Sequence, residues 1–437
     1  MEPENSELNY AIPQNTIPPS APKRGFFSAS GREKWLALLS FPIAYLYIYW
    51  LFNDLYDTPA YWWYLTAFAA CFILWTELAN RGRSARAERW VWVGAIAVCL
   101  AGCLIGRSRV WDGALTALFI HGFAIYYVLC RSDTLLEGHT GRMLPLDAVF
   151  GAFAFPFGQF ILRLRAVGAI FAEKKQPQEK RRGVWWTIAA VAAAAGLLIW
   201  VVSLLRQADT GFEKLFKWTF NWKLSENFSE YLTRFILSLP VGAYLYGLIG
   251  GTARMEPATM RRRGGNVLRF FEKLRKVPAT VWCVLLGAFA AVYCVFFAVQ
   301  GSYLFGAFTR SLPEDFTVAE YARQGFFELC KIMALNFVLL FLSLSSAGTA
   351  VREHKALRIM ATVILVQSLL LAVTAGSKLW LYIDCFGFTP LRLQSAWLIC
   401  VLAAGVIASL WSVWTNRRSV RAWAIFSGLT LAVLHLF

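Results

Sequence analysis

The chain has 437 residues, 58% of them hydrophobic and only 16% charged, with a formal net charge of +17. That much apolar surface excludes a water-soluble globular fold of this length and makes the chain a polytopic membrane protein. The basic balance would otherwise point to nucleic acid; membrane orientation accounts for it, and no nucleic-acid partner is expected.

In chain order, residues 1–33 are polar and interrupted by Pro3, Pro13, Pro18, Pro19 and Pro22. They lack the apolar core and cleavage site of a secretory signal and read as a disordered cytoplasmic tail ahead of one membrane domain, 34–437. Windows near the roughly 20 apolar residues needed to cross a bilayer follow at 36–52, 60–78, 90–106, 112–130, 185–205, 231–250, 279–300, 327–346, 358–376, 393–412 and 422–437. The expected fold is all-α, a helical bundle of about eleven transmembrane helices. Basic runs occupy the loop with Arg81, Arg83, Arg86 and Arg89, then "EKKQPQEKRR" (173–182), the region 251–278, and the loops near 352 and 418. Cytoplasmic loops collect Lys and Arg, so these runs place the amino terminus inside and the carboxyl terminus outside. The stretch 148–162, "AVFGAFAFPFGQFIL", breaks the alternation. It is short, contains Pro156 and precedes a basic loop, so it is expected to be re-entrant or interfacial rather than a crossing.

Smaller features sit on this thread. Gly102 and Gly106 form a GxxxG and "GLIGG" occupies 247–251, both expected to serve helix packing. Pro240 is placed to kink a span, and Asp209 and Phe212 mark a boundary after the fifth. The nine cysteines fall mostly in apolar runs and are expected to be buried structural thiols. In the loop 261–276, Val267, Leu268, Phe270, Phe271 and Leu274 alternate at helical spacing with basic residues. Arg261, Arg262, Arg263, Arg269, Lys273, Arg275 and Lys276 would then meet anionic lipid headgroups of the bilayer, or be a solvated inner loop.

Three stretches carry a resemblance: "YLFGAFTRSLPEDFTVAEYARQGFFELCKIMALN" (303–336), "KLWLYIDCFGFTPLRLQS" (378–395) and "LLRQADTGF" (204–212). Together they are similar to an uncharacterised bacterial multi-pass membrane family catalogued as a domain of unknown function, of the DUF4173/DUF4153 type, best over residues 150–415. Phe386 and Phe388 stand where that pattern has Tyr and Leu, and Lys378 where it has a nearby Arg. The resemblance implies a polytopic fold in a bacterial inner membrane and no established reaction.

No Walker-type loop, HExxH, GxSxG or CxxC pair is present, and the four histidines are far apart, so no catalytic residue, metal or cofactor is assigned. His121 reads as a packed or hydrogen-bonded side chain. Ionisable residues near the membrane are costly there and become the site candidates. A helix starting at Thr317, with Glu320 in capping-box spacing, would align Glu320, Gln324, Glu328 and Lys331. Residues 377–392 would form an outward loop turning at "FGFTP". The expected site is an outward-facing polar pocket of Arg234, Glu320, Arg323, Glu328, Lys331, Lys378, Asp384 and Arg392, roofed by Trp380, Tyr382 and Phe386. The same charges could instead pair to fix the loop on the bundle. A transporter or permease-like protein is the leading expectation. A structural or regulatory envelope component is the alternative, and a membrane-embedded enzyme on a lipid-linked substrate, with Glu328 or Asp384 as base, comes third.

Overall fold

The computed structural model of the chain describes residues 28–53, 59–106, 110–172, 226–309, 326–348, 354–415 and 419–437. These form helices α1 (Gly31–Leu51), α2 (Pro59–Ala79), α3 (Arg89–Leu104), α4 (Gly113–Arg131), α5 (Leu144–Gly158), α6 (Leu162–Ala172) and α7 (Glu226–Arg254). After them come α8 (Pro257–Leu274), α9 (Ala279–Thr309), α10 (Phe326–Ser346), α11 (Lys355–Phe386), α12 (Pro390–Thr415) and α13 (Val420–Val433).

Among the described residues, eight helices, α1, α2, α4, α7 and α9 to α12, are long and apolar enough to cross a membrane, and the bent pair α5–α6 would make nine. The chain is therefore a helical, membrane-embedded protein. Two of the eleven expected spans, 90–106 and 422–437, form shorter apolar helices, Arg89–Leu104 and Val420–Leu436, the second ending in a 3-10 turn. Both lie near the lower limit of length for crossing the roughly 30 Å hydrocarbon core. The expected span 185–205, the Asp209 and Phe212 boundary and the helix start at Thr317 lie outside the described residues.

Local chemistry sets the helix ends. Ser30 caps α1 in a reciprocal box: Glu33 N–H donates to Ser30 Oγ at 3.3 Å and Ser30 N–H to Glu33 Oε2 at 2.7 Å. Asp112 accepts from Leu115 N–H at 2.7 Å and starts α4. The outward loop expected at 377–392 is mostly helix, because α11 runs on to Phe386. Lys378 and Asp384 lower the local hydropathy, but neither residue type stops a helix. Gly387, with φ of +74°, ends α11, and Pro390 opens α12, so the turn itself falls at "GFT".

The helices gather in two bodies. In the first, α1 to α7 share one core around Trp50, Trp75, Trp92 and Tyr127; in the second, α9 to α12 close around Leu286, Met333, Ile364 and Val406. Helix α13 joins them. Trp423 Nε1 on α13 donates to Val401 O of α12 at 2.9 Å, and Trp397 Nε1 of α12 donates to Thr430 Oγ1 at 3.0 Å. On its other side Gly428 receives the ring of Trp92, and Gly102 of α3 lies against the His435 backbone. Gly102 thus serves packing as expected, whereas Gly106, with φ of +70°, lies just past the end of α3.

The thiols depart from expectation. Cys99, Cys103, Cys130 and Cys330 are buried, but Cys71, Cys294, Cys385 and Cys400 are exposed. The outer surface of an apolar helix faces lipid, so an apolar run does not tell which thiols lie inside the bundle.

The stretch expected to break the threading is a broken helix, α5 and α6 meeting at a bend of 42°. A π-helical turn, Phe150–Ala154, precedes Pro156, and Tyr244 O–H donates to Ala152 O at 2.9 Å, supplying a donor where the helix is irregular. Beyond the bend Arg163, only 3% exposed, donates through Nη1 to Leu239 O at 2.7 Å and stacks 3.7 Å from the Phe41 ring, in space left by Gly242. The "GLIGG" glycines serve this contact: a Cβ on Gly247 would meet Pro156 O at 2.5 Å.

Gly247→Ala is therefore expected to destabilise the purified protein by about 1–3 kcal/mol through overpacking. Gly265→Ala, where an added methyl meets nothing within 4 Å, is expected to leave the melting temperature unchanged or raise it.

Candidate functional site

The second body buries a column of polar side chains in an otherwise apolar bundle. On α11, Gln367, Ser368, Thr374 and Lys378 all lie inside, Lys378 at 1% exposure. The spacing 367, 371, 374, 378 keeps one helix face turned to the core. From α9, Tyr293 O–H donates to Asn336 Oδ1 of α10 at 2.7 Å, and Asn336 Nδ2 donates to Ser368 Oγ at 2.9 Å. Gln367 Nε2 donates to Ala290 O at 3.0 Å, while its Oε1 is buried with no hydrogen-bond partner. Ser368 to Lys378 covers about 15 Å along the axis at 1.5 Å per residue. An ammonium, two amides and hydroxyls can together bind a polar molecule with an anionic group.

The residues expected to line the outward pocket are placed as follows. Arg234 is in the first body, donating to Phe52 O at 3.0 Å, pairing with Glu230 and stacking 4.7 Å from the Tyr49 ring. Glu328 and Lys331 are exposed on α10, and Asp384 is exposed near the end of α11. Arg392 folds back onto its own turn, donating to Phe386 O at 2.7 Å and to Gly387 O, and stacks 4.1 Å from the Tyr382 ring. Trp380 is exposed, and Glu320 and Arg323 lie outside the described residues. Among the described residues of the expected set, only Lys378 lies within the polar column. The column was missed because Gln, Ser and Thr spaced along an apolar window do not stand out until the buried face is known.

The loops at the opposite end of α11 from Lys378 belong to the arginine-rich end of the bundle. There Arg83 donates to three backbone carbonyls, Ser132 O at 3.2 Å, Thr252 O at 3.3 Å and Met255 O at 2.6 Å. Burial lowers its pKa, partly offset by Asp133. Glu77 accepts from Arg131 Nε at 2.5 Å and from Tyr127 O–H at 3.0 Å, and pairs with Arg89 at 3.5 Å. Glu88 of the neighbouring loop pairs with Arg421 at 2.8 Å, tying α13 to the start of α3. Asp133 pairs with Arg86 at 3.3 Å and Arg261 at 2.5 Å. Next to this network a cavity of about 220 Å³ opens between α1, α2 and α7.

Helix α8 packs beside it, with Met260 buried and Gly264 against the Leu136 backbone. Arg262, Arg263, Arg269, Lys273, Arg275 and Lys276 remain exposed. His121, by contrast, is an interior side chain whose Nδ1 lies 2.5 Å from Ala117 O. Among the described residues no three His, Cys, Asp or Glu side chains converge as a metal site requires.

A family model described as "Domain of unknown function (DUF4153)" matches residues 93–437. No curated protein and no solved structure matches the chain.

Glu77→Gln leaves the nearly buried Arg131 without its carboxylate. It is expected to cost about 1.5–3 kcal/mol of stability, measured by thermal unfolding in detergent.

Proposed function

The chain belongs to the DUF4153 family, and we propose that it is a transporter or permease-like protein of a bacterial inner membrane, moving a polar small molecule through the second body. The observation that carries this is Lys378, fully buried in an apolar helix and continued by Thr374, Ser368, Gln367, Asn336 and Tyr293. An ionisable side chain buried in a membrane helix is costly, and such residues mark solute and ion pathways. In this reading the two short helices and the segment 185–205 complete eleven crossings. The arginine-rich end faces the cytoplasm by the positive-inside rule, with the carboxyl terminus outside. The solute enters from the far end, where Arg392, Tyr382 and Asp384 stand beside the mouth and Glu320, Arg323, Glu328 and Lys331 would complete it. The exposed cations of α8 rest on anionic headgroups of the inner leaflet.

A pathway must admit water. With the native cysteines replaced, Thr374→Cys and Lys378→Cys are expected to react with a membrane-impermeant thiol reagent added from outside to intact cells, while Ala375→Cys does not. Protection of both column positions under conditions that label an exposed control would mean that the polar residues only link helices, as in a structural component of the envelope.

A further inference from the structure

The cavity at the arginine-rich end has the composition of a binding site rather than of a packing defect. Its lining combines three cations, Arg32, Arg81 and Arg83, with apolar side chains including Leu36, Trp75 and Ile249. The cations are held without being neutralised. Arg32 donates to Arg81 O at 2.9 Å and to Leu78 O at 3.5 Å, and Arg83 donates to its three carbonyls. Carbonyl oxygens fix a guanidinium in place and leave its full charge standing, which is how a preorganised anion site is built.

The carboxylate in the lining, Glu33, is already committed: it accepts from Arg254 Nε at 2.5 Å and from Ser30 N–H at 2.7 Å. Arg81, exposed at the rim, makes no side-chain hydrogen bond or ion pair among the described residues. Gly82, with φ of +90°, turns the backbone between Arg81 and Arg83, a conformation that side-chain-bearing residues rarely adopt. Trp75, 1% exposed, contributes to the lining beside Leu36 and Ile249.

We propose that this cavity between α1, α2 and α7 binds a phosphate group, its oxygens facing Arg32, Arg81 and Arg83 and any attached apolar chain lying against Leu36, Trp75 and Ile249. The phosphate could be that of an anionic lipid or of a free solute, and the two are separable. Neither Lys378 nor the polar column takes part, so transport and phosphate binding stand or fall separately.

The test is the melting temperature of the full-length protein in an uncharged detergent, titrated with inorganic phosphate or with short-chain phosphatidic acid at constant ionic strength set by chloride. A saturable rise with both probes identifies a site for phosphate itself. A rise with phosphatidic acid alone identifies a lipid headgroup site. In either case Arg81→Gln, which removes a cation that holds no other part of the protein, is expected to weaken the apparent affinity about tenfold. No saturable shift with either probe, an equal shift with added chloride, or a shift unchanged in Arg81→Gln would overturn the proposal.

Discussion

A guanidinium placed among helix ends has to be surrounded by oxygen atoms, and the first body depends on how that requirement is met. Arg83 takes carbonyls from just past α4 and from the end of α7, so a single side chain sets the relative heights of three helices. Arg131, Glu77 and Arg89 do the same for α4, α2 and α3, and Glu33 with Arg254 for α1 and α7. Apolar packing alone would hold these helices weakly, because lipid tails solvate a Leu as well as another helix does. The charged contacts add the directionality that dispersion lacks, and they lie where water and headgroups reduce the cost of burying a cation.

The second body solves a different problem with different chemistry. Its helices carry few charges, and amide and hydroxyl bonds among Tyr293, Asn336, Ser368 and Gln367 connect α9, α10 and α11. Bonds of this kind are worth on the order of 0.6 kcal/mol each in membrane bundles. Lys378, fully buried on the same face, is the one basic member of the set and the residue on which the proposed solute path rests. The two bodies also divide the chemistry of the chain: cations held rigid around a cavity in one, a polar column in the other. Helix α13 packs against both.

Much of this architecture was legible in the sequence, and what was not has physical reasons. Hydropathy located the long helices, and all but two of their ends within a few residues, because crossing a bilayer demands an unbroken apolar run. It drew the third window two residues past the end of α3, since a window score does not see that Gly106 lies past the last helical turn. It ended α11 too early at Lys378, because a buried lysine and a loop lysine look alike until the helix face is known. The site was harder. Arg81 and Arg83 were visible as loop charges, but the cavity also needs Arg32 from α1, Trp75 from α2 and Ile249 from α7, side chains brought together only by tertiary packing.

Whether Lys378 is kept for work rather than for stability is read from the melting temperature of purified Lys378→Met beside the parent protein. A lysine kept for work gives a variant as stable as the parent or more so, since an apolar side chain of similar length removes a desolvated charge from the bundle. A fall of several degrees would contradict that role, making the lysine a structural partner within the second body.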